Sequence, residues 1–281
     1  MLEALFLGIV QGLTEFLPIS SSAHIRIIGE FWAGAEDPGA TFTAITQIGT
    51  ELAVLLYFRA QIFAIVRAWV LRLTSKNFRL NATHQEKSDA KLGTKIIIGS
   101  IPIVILGYLF QETIRTTFRS LWLIAIVLIL FGLILGAADT LGKRVHTLDR
   151  LTTSHTILYG LAQCLALIPG VSRSGATISM GRILGYERKD ALRYSFFLAI
   201  PAVLGSGLYE LRTALTEPTS NEIFSMGETL AATAVAFVIG YAVIAWLMRF
   251  VSSRSFTVFV IYRIVLGTVL LIALATGVVS A

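Results

Sequence analysis

Residues 11–24 read Gln11-Gly-Leu-Thr-Glu15-Phe-Leu-Pro18-Ile-Ser20-Ser21-Ser22-Ala-His24, and residues 169–177 read Pro169-Gly-Val-Ser172-Arg173-Ser174-Gly-Ala-Thr177. Each stretch ends a short apolar segment at a proline, adds a serine-rich turn and opens a second short apolar piece. Residues 2–17 would make a helix of only about 24 Å at 1.5 Å per residue, too short for a hydrocarbon core of roughly 30 Å. Residues 156–168 repeat the theme, with Gln163 inside and Pro169-Gly170 at the end. The second pieces run from Ser22 to Trp32 and from Ser174 to Leu184. Short helices around a polar break predict a hairpin that enters a membrane and leaves by the same side. Irregular backbone survives at that depth only when buried in protein or lining a wet cavity.

The composition requires a membrane. Of 281 residues, 55% are hydrophobic and only 14% charged, with a mean hydropathy of +0.77; an ordinary soluble domain has roughly a quarter of its residues charged. That excludes a soluble enzyme, a disordered chain and a disulfide-stapled scaffold. The net charge of +6 comes from 23 Lys and Arg spread between apolar runs, without the dense basic block of a nucleic-acid binder. No nucleic-acid partner is expected. The single cysteine, Cys164, excludes an internal disulfide, and its place on a hairpin helix reads as packing. Met1-Leu-Glu3 carries no basic leader and no small-residue cleavage site follows, so no cleaved signal peptide is expected.

Six further segments are long enough to span: about 43–66, 94–112, 120–141, 191–212, 227–250 and 256–278. The chain also resembles itself at an offset of 152 positions, with Gly8 on Gly160, Gln11 on Gln163, Leu13 on Leu165, Ser20 on Ser172 and Ser22 on Ser174. The register continues through Ile48 on Ile200, Leu52 on Leu204 and Tyr57 on Tyr209, and with a small shift Gly107-Tyr108 meets Gly240-Tyr241. The expected architecture is an all-α polytopic membrane protein with six transmembrane helices and two re-entrant helical hairpins. They fall in two repeats: 1–145, with hairpin 2–32 and three spans, and 150–281, with hairpin 156–184 and three spans. An odd number of crossings turns the second repeat upside down, which is the inverted-repeat plan.

Charge gives an independent orientation, because cytoplasmic loops collect Lys and Arg. Arg67, Arg72, Lys76, Arg79, Lys87, Lys91 and Lys95 place the longest loop inside. Counting crossings puts Lys143, Arg144 and Arg150, the group Arg182, Arg188, Lys189 and Arg193, and the turn with Arg249 and Arg254 inside as well. The acidic loop from Glu210 to Glu228, with Glu217 and Glu222, falls outside; Arg115 and Arg119 are exceptions to the rule.

Chemistry concentrates in the two hairpins. Gln11 and Glu15 are four apart and share a helix face, and a carboxylate inside a membrane is costly unless it has a partner or a function. In the second hairpin, Pro-Gly ends one helix, Ser172 or Ser174 can cap the next, and Gly175 allows close backbone approach. Free N–H groups at a helix start beside a guanidinium form an anion site, for which phosphate is the best fit; a capped helix whose arginine pairs with Glu15 is the plainer reading. A carboxylate plus an amide can hold a hard divalent cation. A serine, a histidine or an activated water could attack phosphorus, and the sequence leaves all three open. Together these suit hydrolysis of a phosphate ester or anhydride on a lipid.

The line Gln11-x-x-x-Glu15, followed by Leu17-Pro-Ile-Ser-Ser-Ser-Ala-His24, with Pro169-Gly-x-Ser-Arg-Ser-x-x-Thr177, closely resembles the two signatures of the bacitracin-resistance type undecaprenyl-diphosphatases. The likeness extends to Ser195-Phe-Phe-Leu-Ala-Ile-Pro201 and Tyr262-Arg263. The resemblance implies a multi-pass enzyme of the bacterial inner membrane that removes the terminal phosphate of undecaprenyl diphosphate on the periplasmic side. It also implies a divalent cation, Mg2+ or Ca2+. Carried over by position, Glu15 is the metal-linked acid, Ser21 the hydroxyl near the phosphate, His24 the catalytic histidine and Arg173 the diphosphate clamp. Ser20, Ser22, Ser172, Ser174 and Thr177 would contact the substrate, and Gln11 would join Glu15 at the metal. Gln11 stands where some members carry a second glutamate, and Ser22-Ala23 where some carry Thr-Gly. The first departure weakens any scheme that needs two carboxylates on the metal.

Three other polar residues lie in apolar segments. Gln47 and Glu51 share a face of the third helix, where Glu51 either supports the site or faces a cavity or interface. Arg263 lies early in the last helix and is expected to snorkel to the inner interface. The rival class is a secondary transporter or lipid flippase, because broken helices in inverted repeats are also a transporter plan. Oligomeric state, including a homodimer, is open.

Overall fold

The computed structural model describes residues 1–31, 39–110, 120–216 and 223–279. Trp32, Arg115, Arg119, Glu217 and Glu222 lie outside these described residues, and with them the end of hairpin 2–32 and the exceptions to the charge rule. Among the described residues the protein is helical and contains no strand.

The first short helices are α1 (Leu2–Thr14) and α2 (Ser21–Phe31), which pack on one another across the turn at 15–20. Their counterparts are α8 (Thr153–Cys164), extended by a 3-10 turn at Leu165–Leu167, and α9 (Arg173–Ile183). Between them run α3 (Gly39–Tyr57), α4 (Arg59–Thr74), α5 (Lys76–Asn81), α6 (His84–Leu109) and α7 (Leu121–Leu141). After α9 come α10 (Arg188–Thr216), α11 (Met226–Ser253) and α12 (Thr257–Ala275). Five of these helices, α6, α7, α10, α11 and α12, are long and apolar enough to cross a membrane.

The sixth expected span differs. The segment expected over 43–66 is two helices, α3 and α4, bent by 83° at their junction. Phe58 marks the break, with its ring packed 5.2 Å from Phe197. Arg59 then turns back to donate to the Leu56 carbonyl at 3.1 Å. A charge directly after the anchored ring makes a straight apolar continuation unfavourable, and α4 leaves at a steep angle carrying Arg59, Arg67 and Arg72.

The packing pairs helices across the two halves. α1 lies on α11 and α8 on α6; α3 packs on both α10 and α11, and α7 on α12. These contacts close through small residues, as membrane helices do. A Cβ placed on Gly8 would meet the Ala232 carbonyl oxygen at 2.5 Å, and one on Gly160 would strike the Gly99 carbonyl. Asp139 on α7 accepts from Arg188 at 2.7 and 2.8 Å, from Arg182 at 3.1 Å and from the backbone N–H of Phe256 at 3.1 Å. That network ties α7, α9, α10 and the start of α12 together. It also means that Arg182 and Arg188, counted above as loop charges, have a buried carboxylate partner.

Candidate active site

The two hairpin turns meet inside the helix cage, and each has the same local construction. Ser20 and Ser172 are the two non-glycine residues with positive φ, at 73° and 69°, among the described residues. Holding a side chain there costs of order 1–3 kcal/mol, so the surroundings must fix it. Each serine caps the helix it precedes: Ser172 Oγ accepts from Gly175 N–H at 3.1 Å, and Ser20 Oγ accepts from Ala23 N–H at 3.4 Å. Each also lies beside the serine two residues on, Ser20 by Ser22 at 3.2 Å and Ser172 by Ser174 at 3.1 Å. The turns are stitched directly, since Gly170 N–H donates to Ser20 Oγ at 3.2 Å and Ser174 Oγ to the Leu17 carbonyl at 3.1 Å.

Four of the residues singled out by sequence form one cluster. Arg173 Nη2 donates to Glu15 Oε1 at 2.8 Å, across the hairpins. Ser21 Oγ donates to Glu15 Oε2 at 2.6 Å, and Gln11 Nε2 donates to the same oxygen at 2.8 Å. Of the ion pair, Glu15 is the covered partner, with 4% of its side chain exposed, while 15% of Arg173 remains open. The guanidinium is therefore the more accessible member of the pair.

His24 is held one turn beyond Ser20. Its Nδ1 lies 2.7 Å from the Ser20 carbonyl oxygen, which can only accept, so Nδ1 carries the proton. Nε2 consequently presents a lone pair, and it receives the Tyr262 hydroxyl at 2.6 Å. The tyrosine ring runs nearly parallel to the imidazole, 8° between planes. This tautomer is the one a general base needs. Thr177, expected at the phosphates, is fully buried; its hydroxyl donates to the Arg173 carbonyl at 2.7 Å and lies 2.6 Å from Ser195 Oγ. It braces the helix start that carries Arg173.

Arg263 overturns its expectation. It does not snorkel to an interface; it is completely buried and hydrogen-bonds only main-chain carbonyls among its described partners. Nη1 reaches Pro18 at 3.0 Å and Val171 at 3.0 Å, Nη2 reaches Gly170 at 2.7 Å, and Nε reaches Leu128 at 3.2 Å. The hairpin breaks leave carbonyls without helical partners, and a planar fork of five donors satisfies carbonyls from both turns at once. The signal was legible as an arginine within the apolar run from Thr257 to Ala275, with no acid on that helix. Glu51 also resolves toward the site, with Oε2 4.0 Å from Arg173 Nη2 and only 1% of the side chain exposed. Tyr262, the partner of His24, had no signal beyond its place beside Arg263.

Fold and site together define a multi-pass helical membrane protein in which two helix pairs bring an acid, an arginine, serines and a histidine together. The chain belongs to the family described as bacitracin resistance protein BacA, whose profile matches residues 4–269. It is similar to the undecaprenyl-diphosphatase of Micrococcus luteus, 58% identical over 280 residues, covering 100% of this chain and 99% of that protein. It is 54% identical to the undecaprenyl-diphosphatase of Pseudarthrobacter chlorophenolicus, covering 99% of each. The undecaprenyl-diphosphatase of a Nocardioides species is also 54% identical, over 100% of this chain and 98% of its own length.

Proposed function

We propose that this protein is an undecaprenyl-diphosphatase: it hydrolyses undecaprenyl diphosphate to undecaprenyl phosphate and inorganic phosphate. This recycles the carrier lipid for peptidoglycan synthesis and confers resistance to bacitracin. The observation that carries the reading is the partly open Arg173 guanidinium, joined to buried Glu15 across two serine-capped helix starts, within a family whose members bear that activity. The diphosphate is held by Arg173, through a planar fork suited to phosphate oxygens, and by the helix starts at Ser21 and Arg173. Glu15 orients both Arg173 and the Ser21 hydroxyl. A nucleophile, Ser21, His24 or water, attacks the terminal phosphorus as the anhydride P–O bond breaks and undecaprenyl phosphate departs; where Ser21 or His24 attacks, water then cleaves the bond from that side chain to phosphorus and frees inorganic phosphate. For Ser21 or water, His24 Nε2 is the lone pair that takes the proton, once the Tyr262 hydroxyl gives way.

The donor set fits a hard divalent cation, Mg2+ or Ca2+. Among the described residues no group of three His, Cys, Asp or Glu forms a closed cage, but Gln11 Oε1 is buried with no hydrogen-bond partner beside the Glu15 carboxylate. Gln11 Oε1 and Glu15 would hold such a cation, and it would there supply neutralisation of phosphate charge.

Two re-entrant hairpins and six spans in inverted repeats, 1–145 and 150–281, suit this structure, α3 with its bend into α4 serving as the sixth. Support comes from the paired Ser20 and Ser172 conformations, 152 positions apart, and from the matching close approaches of Gly8 on Ala232 and Gly160 on Gly99. Helix α4 supports the orientation: its arginines accompany exposed Phe63, Val66, Val70 and Leu73, the make-up of a helix lying in the inner interface. The membrane is the bacterial inner membrane and the site opens to the periplasm. Release of inorganic phosphate from undecaprenyl diphosphate by protein purified in detergent tests the reading against the flippase alternative, because detergent offers no second compartment. Absence of release from folded protein would favour transport.

A further inference from the structure

Two side-chain oxygens in the pocket have no hydrogen-bond partner although both are fully buried: Gln11 Oε1 and Glu51 Oε1, on residues 0% and 1% exposed. A buried acceptor left bare is expensive, and a carboxylate oxygen more so than an amide. Glu15 cannot be the sole acid for a cation without giving up contacts, since it already accepts from Arg173, Ser21 and Gln11. Glu51 is less committed. Its Oε2 lies 4.0 Å from Arg173 Nη2, the same nitrogen that bonds Glu15 Oε1, so one guanidinium stands between two carboxylates.

The backbone explains how α3 delivers that acid. Gly49 brings α3 against α11, where an added Cβ would lie 3.0 Å from the Thr233 carbonyl carbon. Residue 51 is about 200° further round the helix at 100° per residue, and so faces away from α11 and toward Arg173.

We propose that Glu51 is the second carboxylate of the divalent-cation site, acting with Gln11 Oε1 and Glu15, so that α3 supplies the charge that Gln11 does not supply on α1. The proposal rests on the diphosphatase reading. It also explains the charge balance: Glu15 and Glu51 offset Arg173 and Arg263, and an incoming diphosphate is then matched by a divalent cation.

The test uses Mn2+ as a paramagnetic probe, titrated into the detergent-purified full chain and followed by electron paramagnetic resonance. The unaltered protein is expected to bind Mn2+ at one site, and Glu51→Gln to weaken that binding by about tenfold or more, because affinity follows ligand charge. Moving the acid, in Gln11→Glu/Glu51→Gln, should restore affinity to within about threefold of the original and recover phosphate release. Unchanged Mn2+ affinity in Glu51→Gln overturns the proposal, as does absence of Mn2+ binding in the unaltered protein. If Glu51→Gln does not fold, the relocated-acid variant decides alone: retained affinity supports the proposal and lost affinity overturns it. Phosphate release by the unaltered protein in the same preparation separates a failure here from a failure of the diphosphatase reading.

Discussion

The two hairpins are alike in backbone and unlike in side chains. Both turn through a positive-φ serine that caps the next helix, and both offer a carbonyl to Arg263 from the residue two places before that serine, Pro18 and Gly170. At matching positions, 152 residues apart, Glu15 corresponds to Leu167, Ser21 to Arg173 and His24 to Ala176. One hairpin thus carries Glu15, Ser21 and His24, proposed as acid, hydroxyl and base, and the other carries Arg173, proposed to receive phosphate. On the proposed function, two turns of the same backbone form would supply the anion cradle, and the three side chains that differ between them would supply the chemistry.

The comparison is broken most severely at the clamp. Arg173→Ala should lower kcat/KM for phosphate release by about 10²–10³-fold, as loss of a donor to developing charge does. Arg173→Lys should be nearly as poor, because an ammonium cannot hold two oxygens in one planar fork. Near-normal turnover by the lysine variant would remove the clamp role. Arg263 tests what joins the hairpins: Arg263→Gln leaves carbonyls of both turns unsatisfied and should cost roughly 2–4 kcal/mol of stability, read as a lower Tm in detergent. An unchanged Tm would mean the turns hold without it.

Smaller effects sharpen the asymmetry. Tyr262→Phe removes the hydroxyl that occupies His24 Nε2, so kcat should hold or rise by up to about fivefold with KM little changed, because the base is freed without breaking one hydrogen bond. A change in KM alone would assign Tyr262 to lipid binding. At the shared feature, Ser172→Ala loses the cap and keeps the strain, whereas Ser172→Gly loses the cap and relieves the strain. Thermal unfolding should find the glycine variant more stable than the alanine variant by about 1 kcal/mol, with the same order at Ser20.

The paired short helices at each serine turn, five of the long apolar helices and the Glu15–Arg173 pairing were legible in the sequence, because proline and serine end a short apolar piece and a buried carboxylate needs a partner. The break at Phe58 was not read from the sequence: the segment 43–66 is apolar enough to pass as one span despite Arg59, and the neighbour that anchors Phe58 at the bend, Phe197, lies far along the chain. Arg263 misled because its position along α12 suggests snorkelling, while its partners are main-chain carbonyls from residues 245 and 93 positions away. Glu51 stayed open for the same reason, since helix register shows the face but not the neighbour that face meets.

The most direct test of a single site assembled from both hairpins is phosphate release from undecaprenyl diphosphate, measured side by side for the detergent-purified protein, His24→Ala and Arg173→Ala. The account predicts release by the unaltered protein and its near-complete loss when either hairpin is changed. Full activity in either folded variant would contradict it.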